Sequence, residues 1–122
     1  MIEQRLFRRL PVPLGVDYVV PMRYAARFAG RGCTVDLSAG GMLLALALMP
    51  SVVLSELVEG PGDIEVTFAL YAGQAMISAQ CRVVWLRRPT QSGEQLRLGL
   101  RFVALDPPIA DAIHAFVVAH AP

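Results

Sequence analysis

Two short segments bring chemically capable side chains together: RLFRR at 5–9 and VDLSAGG at 35–41. In the first, Arg5 and Arg9 are four residues apart, which in an extended chain separates their Cα atoms by up to about 13 Å. Two planar guanidiniums so spaced can grip different parts of one sizeable anion, pairing bidentately with phosphate or stacking flat on a purine. In the second, alternation along an extended chain turns Cys33, Val35 and Leu37 towards a core and Thr34, Asp36 and Ser38 to the opposite face. A carboxylate accepts two hydrogen bonds side by side, matching the N1 and N2 donors of a guanine edge, and a neighbouring hydroxyl can donate or accept. Gly40 and Gly41 permit a tight turn and close approach of a flat ligand to backbone. The same residues also suit plainer roles: RLFRR a solvated basic tail, and Asp36 and Ser38 a self-bonded turn with the glycines as a bulge.

The elements that must position these residues are mostly strands. From Asp63, the residues Ile64, Val66, Phe68 and Leu70 alternate with polar or small neighbours, and Leu96, Leu98, Leu100 and Phe102 alternate in the same way. Residues 76–86 (MISAQCRVVWL) form a longer strand pattern, with Gly73 and PTQSGE at 89–94 supplying turns. Earlier runs span about 12–28, bent at Pro21, and 33–37, with AGRG (29–32) as the turn between them. The apolar stretch 42–54 is only about two thirds of a membrane span and contains Pro50, so it reads as a buried strand followed by a turn.

About six such strands argue for an antiparallel barrel or sandwich. The period then changes: Asp106 suits a helix N-cap, Pro107 the first helical position, and Ile109, Ile113, Phe116 and Val117 recur at helical spacing. The expected organisation is a flexible N-terminal tail over 1–11 and one mainly β domain over 12–122, closed by a helix over 107–119.

Composition excludes several function classes. The net charge of +1 gives no overall pull on nucleic acid or on an anionic membrane, although arginines are concentrated in the first 31 residues. The aromatics are scattered and form no basic, base-stacking stripe, so no nucleic-acid partner is expected. Pro11, Pro13 and Gly15 interrupt the place of a signal-peptide core, which predicts a cytoplasmic location without membrane insertion. Cys33 and Cys81 lack metal-site spacing and read as reduced, buried thiols. His114 and His120, six residues apart on the expected helix, face different ways and predict no metal. Ser38 has Asp36 where a nucleophile elbow needs its first glycine, so no enzymatic activity is expected. Trp85 shares the parity of Ile77, Ala79, Cys81 and Val83 and is expected as a core or rim anchor.

Taken together, Arg5 and Arg9 followed by Asp36, Ser38 and Gly41 resemble the PilZ family, marked by two arginines with three residues between them and a later Asp-x-Ser-x-x-Gly. The similarity continues through GDIEVTFAL, CRVVWLRR, LRLGLRFVALD and the closing helix, and so covers nearly the whole chain. Departures are Leu6, where arginine is frequent, and longer segments at 17–32 and 49–62. The resemblance implies an all-β, six-stranded antiparallel PilZ-type barrel with a C-terminal helix. It also implies a stand-alone receptor for the bacterial second messenger cyclic di-GMP that needs no cofactor and relays its signal through an unidentified bacterial protein effector. By the same resemblance Arg5 and Arg9, with Arg8 as a further candidate, would pair phosphate and stack on guanine. Asp36 and Ser38 would read the guanine edge and Gly41 would shape the turn. The alternative is a PilZ-like adaptor of a motility or secretion machine that binds no nucleotide; such adaptors typically lack both motifs.

Overall fold

The computed structural model describes residues 8–121. Six strands are present: β1 (Gly15–Val20), β2 (Phe28–Ser38), β3 (Gly41–Leu46), β4 (Asp63–Phe68), β5 (Ile77–Arg87) and β6 (Leu96–Phe102). Two helices join them, α1 (Ser51–Glu59) and α2 (Pro107–His120). The strands close into a barrel in the order β1-β2-β3-β6-β5-β4, every pair antiparallel. Closure leaves no ladder edge open to another chain.

The alternating residues of the sequence fill the interior. Val16, Leu37, Leu44, Ile64, Val66, Phe68, Leu96 and Leu98 are fully buried, each worth about 1.5–3 kcal/mol of transfer free energy. Ile113, Phe116 and Val117 press one face of α2 into the same cluster. Pro107 and Pro108 occupy the first positions of α2, where amide donors have no helical partner anyway. Asp106 precedes them as the N-cap residue, although its side chain makes no capping bond.

Three local expectations are corrected. The segment AGRG is not a turn but lies inside β2: Gly30 pairs with Tyr18, whose ring occupies the space that a side chain at 30 would take. The residues after Pro50 form α1 rather than a turn, anchored by Val53 and Leu57 one helical turn apart. That helix is tied to the β1–β2 connection by Arg23, whose Nε donates to Glu56 Oε2 at 2.7 Å. Finally, Cys33 is only half-buried, whereas Cys81 is buried, and desolvation pushes its thiol up to about 12.

The stretch before β1 is fastened at two points. Leu10 is buried and pairs with Leu37, the N–H of Leu10 donating to Leu37 O at 2.8 Å and that of Leu37 to Leu10 O at 3.0 Å. Leu10 thus belongs to the barrel wall although the sequence places it in the tail. Thr34 makes the second attachment: its Oγ1 accepts from Leu14 N at 2.8 Å and donates to Val12 O. Thr34 therefore points inward, opposite to its expected parity, because a β-bulge between Thr34 and Asp36 inserts one residue into β2.

At the start of β3 the backbone of β6 comes unusually close. A Cβ at Gly41 would lie 2.0 Å from Leu100 O, although Gly41 has no positive φ. The glycine is needed for contact, not for conformational freedom.

Two stability outcomes are expected in urea unfolding. Thr34→Val keeps the shape but strands the Leu14 amide and the Val12 carbonyl, and should cost about 1–3 kcal/mol, with Thr34→Ser recovering most of it. Gly41→Ala must push β3 away from β6 and should cost about 1–3 kcal/mol or more; an unchanged midpoint would show that the barrel yields at this point.

Candidate functional site

Outside the barrel, at the junction of β2, β3, β6 and β5, lies an open cavity of about 450 Å3. It is lined by Arg9, Asp36 and the Ser38–Gly41 turn, and by Trp85, Gly99 and Arg101 from β5 and β6. Met42, Leu43, Val84 and Leu105 add apolar surface. Few polar groups converging on an apolar concavity of this size suit a small organic ligand.

The β2–β3 turn is held from within. Ser38 Oγ accepts from Gly40 N at 3.1 Å and Gly41 N at 3.2 Å, and lies 3.3 Å from Gly41 O, to which it donates. The hydroxyl is buried and engaged in the turn, as the plainer sequence reading has it for this residue. Gly40 O then accepts from Phe102 N at 2.9 Å, joining the turn to β6.

Asp36 is placed differently. Its side chain, 20% exposed, faces the cavity and meets Arg9 Nη1 at 3.9 Å through Oδ2. Arg9 is 62% exposed, so this long ion pair is solvated and worth at most about 1 kcal/mol. It can be exchanged at little cost for contacts to a ligand. Arg9 reaches the cavity because Leu10, the next residue, is pinned to Leu37 on the strand that carries Asp36.

Of the candidate residues, Arg9, Asp36, Ser38 and Gly41 are brought together around one cavity. Arg8 is exposed and does not line it. Arg5 lies outside the described residues.

Trp85 contradicts its expected core or rim position. A second bulge, between Val83 and Trp85, shifts the β5 register so that the indole turns outward, 46% exposed, and lies flat over Gly99. A Cβ at Gly99 would sit 2.3 Å from the indole Nε1, so the glycine makes room for the ring. The bulge in β5 thus re-aims Trp85 at the cavity, where Asp36 from β2 already presents its expected outward face. Arg101 was also absent from the sequence candidates. Its outward parity beside Gly41, its partner on β3, was the available signal.

Among the described residues that line the cavity, the electrostatic balance is two guanidiniums against one carboxylate, which suits an anion that also presents hydrogen-bond donors. Among the described residues, no group of His, Cys, Asp and Glu is arranged to hold a metal ion, and no helix is long and apolar enough to cross a membrane.

Solved structures share the fold at low sequence identity. The Bacillus subtilis inhibitor of motility MotI/DgrA matches with a TM-score of 0.71 and 17% identity, over 97% of this chain and 51% of that one. The PilZ domain of Escherichia coli YcgR, solved with c-di-GMP, matches with a TM-score of 0.62 and 19% identity, over 97% of this chain and 92% of that one. Borreliella burgdorferi PlzA, also solved in complex with c-di-GMP, gives 0.64 and 11%, over 92% of this chain and 50% of that one. The chain thus spans about half the length of MotI and PlzA. No curated protein matches it. The sequence model of the PilZ domain matches residues 3–119, nearly the full length, and the chain belongs to the PilZ domain family.

Proposed function

We propose that this chain is a cytoplasmic receptor for cyclic di-GMP that acts through a protein partner and catalyses no reaction. The observation that carries this reading is the convergence of Arg9, Asp36 and Trp85 on one cavity. Asp36 supplies two acceptors for the N1 and N2 donors of guanine, Trp85 a face for the base, and Arg9 with Arg101 the charge for phosphate. Ser38 contributes through the turn it closes, and Gly41 by letting that turn rest on β6. Binding rather than turnover fits the described lining residues, whose hydroxyl, Ser38, is engaged in the turn and whose carboxylate, Asp36, faces Arg9. Two PilZ structures of the same fold, YcgR and PlzA, carry c-di-GMP, which supports the ligand class.

The mechanism follows from the anchor at Leu10. Arg9 directly precedes a fixed residue, whereas Arg5 is joined to it only through residues 6–8. A ligand seated on Asp36 and Trp85 draws Arg5 and Arg9 onto its phosphates and orders the segment before Leu10 over the cavity mouth. Part of the contact energy offsets the entropy of fixing that segment. The barrel itself barely moves. The surface made by ligand and segment together is then available to a partner, and the shift cannot exceed the preference of the ligand for the ordered state.

Isothermal titration should show binding of cyclic di-GMP in preference to GMP, GTP and cyclic di-AMP. No binding at about 100 μM, near −5.5 kcal/mol, would overturn the receptor reading in favour of the nucleotide-free adaptor. Arg9→Ala and Asp36→Ala should each weaken binding by at least about 1.5 kcal/mol with the thermal melt unchanged.

Hydrogen exchange tests the ordering step separately. The amides of Leu10 and Leu37 should be protected with and without nucleotide. Protection across residues 6–9 should rise on adding cyclic di-GMP, while β4 and β6 stay constant. Full protection of residues 6–9 before addition would defeat the mechanism even with binding confirmed.

A further inference from the structure

The outer face of the β5–β6 hairpin carries charge that the nucleotide cavity does not use. Arg87 on β5 stands directly opposite Arg97 on β6, and Arg88 adjoins them around a cleft of about 260 Å3. Like charges facing each other across a ladder repel. Among the described residues, none of the three lies within ion-pair distance of an acid. The next outward arginine on β5, Arg82, is by contrast paired with Asp63 at 3.1 Å.

One acid, Glu94, lines the cleft, but its carboxylate serves the β5–β6 loop. Its Oε1 accepts from Thr90 N at 2.7 Å, Thr90 Oγ1 at 2.9 Å and Gln91 N at 2.9 Å. These bonds, with a smaller contribution from nearby Arg87, hold it below the usual carboxylate range. The cleft therefore keeps a surplus of two positive charges.

This surplus adjoins exposed apolar surface. Val84 is 55% exposed and Trp85 46%, and both lie within three residues of Arg87 on the same strand. Arginine and tryptophan side by side, with little acid, are characteristic of protein interfaces. A nucleic-acid backbone needs a longer positive track than this hairpin end offers.

We propose that the outer face of the β5–β6 hairpin docks an acidic segment of the protein effector, with carboxylates paired to Arg87, Arg88 and Arg97 and an apolar residue against Trp85 and Val84. Because Trp85 and Val84 also line the nucleotide cavity, a segment bound here abuts the ligand. The link to signalling rests on the receptor reading; the docking itself does not.

The chain has a single tryptophan, so its emission reports on Trp85 alone. Titration of the whole chain with a synthetic oligoglutamate peptide bearing one leucine, without nucleotide, should shift that emission. In the R87E/R97E double variant, shown folded by circular dichroism, peptide affinity should fall about tenfold or more while cyclic di-GMP binding persists. Asp36→Ala should do the reverse, losing nucleotide and keeping peptide, so failure of the receptor reading and failure of the docking surface are separable. No emission change, equal peptide binding by the double variant, or tighter binding of a single-stranded oligonucleotide or of phosphatidylglycerol vesicles would overturn the proposal.

Discussion

The site depends on the contact of Gly41 with the backbone of β6. Because no side chain fits between its Cα and the Leu100 carbonyl, the β2–β3 turn can lie directly on β6, and Gly40 O can accept the Phe102 amide. This sets the height of the turn above the barrel wall. Ser38 then closes the turn from inside, Asp36 emerges one strand position pair before it, and Arg101 lies opposite Gly41 across the ladder. A bulkier residue at 41 would change the depth of the cavity as well as the pairing of two strands.

The broad architecture was legible because its signals are periodic. The alternation in 63–70 and 96–103 specifies strands with one buried face, and the change to helical spacing after Asp106 specifies α2. Where the structure departs from the sequence, a single residue usually breaks the period. The bulge beside Thr34 turns that side chain inward, and the bulge beside Trp85 turns the indole outward. No composition rule marks such an insertion, since either strand reads as unbroken alternation. The helix α1 was hidden for another reason: residues 42–54 are almost uniformly apolar, so the boundary between β3 and the Val53–Leu57 helical pair has no polar punctuation except Pro50 and Ser51.

The site itself was half legible. Asp36, Ser38 and Gly41 lie in one short stretch of sequence, and their shared turn could be anticipated. Arg9 joins them only through the long-range pairing of Leu10 with Leu37, and Trp85 and Arg101 arrive from strands far along the chain. Ser38 illustrates how one residue can suit two readings: its type fits a ligand contact, but its hydrogen bonds are all satisfied by the adjacent backbone.

The bridge between Leu10 and Leu37 makes Arg9 a tethered group at the mouth of the cavity. Contact of Arg9 with whatever occupies Asp36 is an intramolecular event, at an effective concentration set by a tether of one residue. The fold of the barrel has thereby already met most of the entropy cost of holding Arg9 beside Asp36.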